Sequence, residues 1–234
     1  MWHQVDRHSP FVLYCAKLGP IGKWALSTVR TARAAHMTFD QIVDCYIRDF
    51  RDEARAELRF FEIQRTASAA IEKAALCLLP SGKRHPHQRR IPKKLLELAE
   101  GRLQAVRSKL AIAQNFDGLY RTVDQGIGAI KGIGKLTVYD IAHRIGAHFG
   151  KQPDFVYLHA GTRKGAKALH ITGDSFDPHS LPKPFSRLQP YEIEDCLCLY
   201  KDELSVVGQA HPANNTLGGN PKKAGCMRER VPNS

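Results

Sequence analysis

The sequence predicts an all-α protein, a single multi-helix domain followed by a polar tail. Two observations carry that expectation. Apolar residues recur at helical spacing in window after window, while alternation at period two is scarce, so no sizeable sheet is expected. Hydrophobic residues make up 43% of the 234 positions, enough to fill one substantial core.

The elements follow in order. Thr38 with Gln41 makes a capping box ahead of a stripe of Phe39, Ile42, Val43, Tyr46, Ile47 and Phe50, continued by Ala54, Leu58 and Phe61. The pattern runs on towards Leu79, too long for one globular helix, so a break is expected near Thr66–Ser68. Pro80-Ser-Gly closes this region. A basic loop with two prolines, KRHPHQRRIP (83–92), comes next. Pro92 suits the first position of a helix whose inner face is Leu95, Leu96, Ala99, Leu103, Val106, Leu110 and Ala113, with Asn115 closing it. A shorter helix should span Asp117 to about Ile130. Another should bury Val138, Ile141, Ala142, Ile145 and Phe149. Gly150-Lys-Gln-Pro153 breaks it.

Asp154 is then expected to start a helix with Phe155, Leu158, Thr162, Ala166 and Leu169 inward. Residues 171–189 read as a loop. The last helix should begin near Pro190, with Glu192, Glu194 and Asp195 favoring the dipole of its first turn, and end near Leu204. From Ser205 onward Gly, Asn, Pro and Lys dominate. The domain is therefore placed at 1–204 and a disordered basic tail at 205–234.

Thirty-five Lys+Arg against 23 Asp+Glu give a net charge of +12, which favors an anionic partner. No run of about 18 apolar residues exists, so no membrane span is expected, and the first residues lack the apolar core of a signal peptide. The six cysteines are scattered. Their spacing fits reduced, structural thiols and a cytoplasmic location better than a metal center. His85 and His87 have no partnering ligands at metal spacing, so no metal and no cofactor are expected.

One stretch points to function: IKGIGKLTVYDIAHRIG, residues 130–146. Gly132 and Gly134 bracket Ile133, which is free to turn inward and lock two helices. Glycine lets another backbone approach closely. The amides opening the next helix lack internal partners and carry the positive end of its dipole, a geometry that binds phosphate. Lys131 and Lys135 flank the turn. Arg84, Arg89 and Arg90 of the basic loop are further phosphate contacts, or simply a solvated surface run.

With Ile127, Ile130, Val138 and Ile141 on either side, this segment (about 119–149) resembles the helix–hairpin–helix motif of DNA-binding and DNA-repair proteins. Without a ligand, the same residues would make a tight corner between helices. The motif grips backbone, so it implies salt-sensitive binding to DNA with little sequence preference, RNA not being excluded.

In the helix–hairpin–helix DNA glycosylase superfamily, a catalytic aspartate follows the second glycine by about twenty residues. Asp154 stands in that position. The resemblance implies hydrolysis of the N-glycosidic bond of a damaged or modified base, with the carboxylate stabilising oxocarbenium charge or activating water. Family members that also cut the strand use a lysine two residues after the second glycine. Here that residue is Leu136, so a monofunctional glycosylase is implied. The alternative is a non-enzymatic nucleic-acid-binding module in which Asp154 only caps a helix.

Tyr157, His159 and Arg163 lie close enough in sequence to line a pocket, with His159 a second catalytic candidate. The run His-Ala-Gly-Thr-Arg (159–163) departs from the better-known branches of the family. Gly161 and Gly165 share one helix face, each at a cost of up to about 1 kcal/mol, and call for close packing or a close ligand.

Overall fold

The computed structural model describes residues 37–210. The first 36 residues, with Cys15, and the tail from 211 onward, with Cys226, lie outside the described residues. The described chain is all-α, with ten helices and one minor two-stranded sheet. Among the described residues, no helix is long and apolar enough to cross a membrane.

The long N-terminal stripe is two helices, α1 (Phe39–Asp49) and α2 (Arg51–Glu62), broken at Phe50. The Thr38–Gln41 capping box is present. Thr66 caps α3 (Ala67–Ala75) by accepting from the Ala69 amide. α4 (Lys93–Ala105) starts one residue later than expected, with Pro92 as its N-cap. It bends at Val106 into α5 (Arg107–Ile112). Asn115 does not close that pair: its side chain accepts from the Gly118 amide and starts α6 (Phe116–Ile127). α7 (Lys135–His148) follows the glycine turn.

The segment after α7 corrects the sequence reading. Asp154 starts no helix. Residues 151–159 are non-helical, bend at Asp154–Phe155 and include β1 (Val156–Tyr157), paired antiparallel with β2 (Ser175–Phe176). Val156 and Leu158 point inward while Phe155 is exposed, the period-two burial of a strand. α8 spans only Ala160–Ala168. Residues 171–189 also hold two 3-10 turns (Pro178–Ser180 and Lys183–Arg187), and they bury Phe185 completely.

The last expected helix is α9 (Pro190–Leu199) and α10 (Lys201–Ala210), divided at Tyr200. Helix continues past the expected boundary at Ser205, because Val207 is buried and Gly208 lies against the Ala168 carbonyl.

Two apolar clusters organize these elements. One gathers Phe61, Ile71, Leu96, Leu103, Leu119, Val123 and Ile141 from α2 to α7. The other gathers Ile42, Tyr46, Val156, Phe185, Ile193 and Leu204 from α1, β1, the second 3-10 turn and α8 to α10. Charged side chains tie the helices together, across the two clusters and within the first. Arg51 and Arg55 of α2 both reach the fully buried Glu192 of α9, at 3.0 and 2.9 Å. Arg144 of α7 meets Glu57 of α2 at 3.0 Å.

The glycines of α8 answer to packing. Gly161 faces the Cys198 sulfur, and Gly165 leaves no room for a Cβ against the Leu197 carbonyl, so α8 and α9 touch backbone to backbone.

Candidate nucleic-acid interface

The glycine turn is built from inside outwards. Ile127, Ile130 and Ile133 are buried in the first cluster, and the Ile133 amide donates to the Ile130 carbonyl at 2.9 Å. Gly132 has φ +102, and a Cβ there would lie 2.9 Å from Leu95 Cδ1. The conformation and the close approach both require glycine. Gly134 is the N-cap of α7 in extended conformation, and no side chain caps the helix. The first α7 bond runs from the Val138 amide to the Gly134 carbonyl. The amides of Lys135 and Leu136 therefore face outward from the positive end of the helix dipole. Lys131, Gly132, Gly134, Lys135 and Leu136 are all exposed.

The basic loop lies alongside. Gln88 donates to Asp140 of α7, and Leu95 packs on Gly132. Those two contacts bracket Arg89–Lys94, so this strip runs beside the first turns of α7. Arg89, Arg90, Lys93 and Lys94 are exposed. Arg84 is turned inward and donates to the Ile91 carbonyl at 2.5 Å, holding its own loop. His85 is buried, and burial first, then the Arg144 charge, lowers it to about 3, so it is neutral at pH 7.

Asp154 is exposed and lines an open pocket of about 300 Å³ with Asn115, Phe116, Asp117, Phe155, Tyr157 and Ser175. Tyr157 donates from its hydroxyl to Asp117 at 3.4 Å. Asn115 and Phe116 begin α6, whereas the glycines follow its end. Asp154 therefore sits at the far end of the hairpin, about 20 Å from the turn for a 14-residue helix.

The chain then runs back along α7. The His159 ring lies 4.8 Å from that of Tyr139. Burial lowers His159 to about 4, helped by Arg163 and Lys135, so it is a neutral imidazole. Its Nε2 is buried without a hydrogen-bond partner. Arg163 pairs with Asp174 at 2.6 Å and donates to the Gly173 carbonyl. The structure thus groups His159 and Arg163 with Lys135 and sets Asp154 apart from the glycine turn, with Tyr157 between them, in the Asp154 pocket and 5.2 Å from the Tyr139 ring.

A second feature escaped the sequence reading. Tyr139, Asp140 and His143 share one face of α7 and look toward Tyr191, Glu194 and Asp195 on α9. The His143 and Tyr191 rings stand 5.0 Å apart. Thr162 of α8 donates to Glu194 at 3.3 Å, and Tyr46 of α1 donates to Asp195 at 3.2 Å. The Tyr139 hydroxyl lies against Glu194 and interacts with its carboxyl.

Burial and the neighboring carboxyls Asp195 and Asp140 push Glu194 well above the usual range. Burial also raises Asp195 to about 7. The spacing i, i+1, i+4 on α7 and i, i+3, i+4 on α9 was the available signal. It did not say which face another helix would meet.

Among the described residues, no group of three or more His, Cys, Asp or Glu is arranged to hold a metal ion, and the four cysteines form no disulfide. Comparison with known proteins returned no match: no family model, no curated protein and no solved structure.

Proposed function

We propose that this protein binds DNA through the sugar–phosphate backbone, with the α6–α7 hairpin as the grip. One observation carries the reading. The uncapped start of α7 stands behind Gly132-Ile133-Gly134, flanked by Lys131 and Lys135 and by the exposed strip Arg89–Lys94. Backbone amides, a helix dipole and lysines on one surface suit phosphate oxygens. Ile133 serves from inside by fixing the turn. Contacts of this kind position a duplex and leave its bases unread.

The test is fluorescence anisotropy with labeled duplexes of unrelated sequence, comparing wild type with a Lys131→Ala/Lys135→Ala variant. Affinity should fall alike on every duplex. Unchanged affinity in the variant would refute the grip.

A second reading adds chemistry, base excision without strand cleavage. The observation favoring it is that Asp154 is an exposed carboxylate in a pocket walled by Phe116, Phe155 and Tyr157, rings on which a displaced base would stack. Leu136 supplies no amine for a lyase step. Since Asp154 lies about 20 Å from the turn, a duplex held at the glycines must extend about six base pairs along the hairpin to reach it. His159, beside the opposite end, belongs with the grip more than with Asp154. Base release from duplexes carrying a panel of modified bases, abolished by Asp154→Asn, would support excision. Release that persists in Asp154→Asn would remove Asp154 from the chemistry, and no release at all would leave the binding module.

A further inference from the structure

The surface between the glycine turn and the Asp154 pocket is lined with aromatic rings. Phe155, Tyr157 and His159 fall at every second residue of the segment before α8, with Val156 and Leu158 buried between them. The period-two alternation of a strand turns these three rings to the side away from the core. The fold adds a fourth from α6, for Tyr120 stands 5.3 Å from Tyr157. Behind them Tyr139, 2% exposed, lies 5.2 Å from Tyr157 and 4.8 Å from His159, which makes one connected layer. Phe116, 5.6 Å from Tyr157, joins that layer to the pocket.

The core leaves these rings open. Phe155 is 49% exposed, and Tyr120, Tyr157 and His159 are each half-buried. Cations border them. Arg163 and Lys135 stand close enough to His159 to act on its ring, as Arg121 does on Tyr157. Two acids alongside are matched, Asp117 by Arg121 at 3.0 Å and Asp174 by Arg163 at 2.6 Å.

Open rings edged by cations suit unpaired nucleotides, whose bases stack on the rings while their phosphates follow the charge. Paired bases already have their faces covered by neighbors in the duplex, so a duplex gains little from such a layer. Two residues of a strand span about 6.6 Å, about twice the rise between stacked bases, which leaves room for a base between successive rings.

We infer that the ring layer of Tyr120, Phe155, Tyr157 and His159 holds a single strand of DNA where it leaves a duplex seated at the glycine turn. The inference rests on the phosphate grip and does not require base excision. Lys135 belongs to both surfaces, flanking the turn and bordering His159, so the strand passes from one to the other there. The preferred substrate is then a duplex that ends in an unpaired tail.

The experiment is fluorescence anisotropy of the full chain with labeled DNAs that share one duplex. One is blunt, one carries a tail of about eight thymidines, and one carries an abasic tail of the same length. Each tail is placed on the 3′ end and, separately, on the 5′ end. A thymidine tail on one of the two ends should tighten binding about tenfold over the blunt duplex. The abasic tail, with the same phosphates and no bases, should not. Tyr120→Leu and Phe155→Ala should each cut the gain to about twofold.

The proposal is overturned if neither thymidine tail tightens binding, or if the abasic tail tightens it as much. It is equally overturned if both variants, shown folded by their melting curves, keep the whole gain. Failure of the grip reads differently, because the blunt duplex then binds Lys131→Ala/Lys135→Ala as tightly as wild type.

Discussion

Two faces of α7 carry opposite chemistry. At its start, Lys131 and Lys135 flank open amides on a surface that faces solvent. One turn further in, Tyr139 and His143 meet Glu194 and Tyr191 of α9, where burial raises the Glu194 carboxyl. The outer region owes its shape to local backbone geometry, Gly132 at φ +102 and Ile133 buried behind it. The inner region owes its chemistry to a helix more than fifty residues away in the sequence. A basic protein can thus present positive charge to a partner and keep its acids inside, but only by holding the acids together with structure. Glu192 between Arg51 and Arg55, and Glu57 against Arg144, are the ties that do so.

Substitutions that separate the two regions test this division. The largest effect should come from Arg144→Ala. It leaves Glu57 of α2 without its guanidinium partner and should cost about 3 kcal/mol in chemical denaturation. A loss well under about 1 kcal/mol would mean that Arg144 does not tie α7 to α2.

Next is the contrast within the turn. Gly132→Ala must adopt a positive φ and push on Leu95, at about 1–3 kcal/mol. Gly134→Ala meets no neighboring atom, and its extended backbone suits alanine, so it should cost less than about 1 kcal/mol. Equal costs would contradict the structure of the turn.

Smaller still are the surface lysines. Lys131→Ala and Lys135→Ala should leave stability within about 0.5 kcal/mol. Each should flatten the slope of log affinity against log salt by about 1.

The last test is pH dependence. A carboxyl raised to about 7, such as Asp195, binds its proton more tightly folded than unfolded. Its stabilising contribution is complete below about pH 4 and is lost as pH rises towards 7. His143 and His159, lowered to about 4, act in the reverse sense and cost stability as pH falls below about 6.5. Asp195→Asn removes only the first trend. Its melting temperature relative to wild type should therefore rise from pH 5 to pH 8, and a flat difference would count against the buried carboxyl.

Much of this was legible in the sequence, for local reasons. Thr38–Gln41 capping and the apolar stripes of α4, α6 and α7 follow from spacing alone. So does the Gly132-Ile133-Gly134 turn, because each depends on residues a few positions apart. Phe50, Val106 and Tyr200 each interrupt a stripe that looked continuous, since apolar periodicity carries across a bend.

Asp154 was misplaced for another reason. Proline followed by aspartate is a strong helix-start signal, but Phe155-Val156-Tyr157-Leu158 prefers a strand once Ser175–Phe176 is there to pair with it. The meeting of Tyr139 with Glu194 was not readable at all, because it joins two helices far apart in the chain. The glycines of α8 signaled close contact correctly, and the contact is α9.

The phosphate grip proposed for the start of α7 makes a residue-level prediction. The most direct measurement follows the backbone amide resonances of ¹⁵N-labeled protein while duplex DNA is added at low salt. The amides of Gly134, Lys135 and Leu136 should shift first and furthest, and return as salt is raised. Contradiction would be a titration in which DNA binds and those three amides stay still while others move.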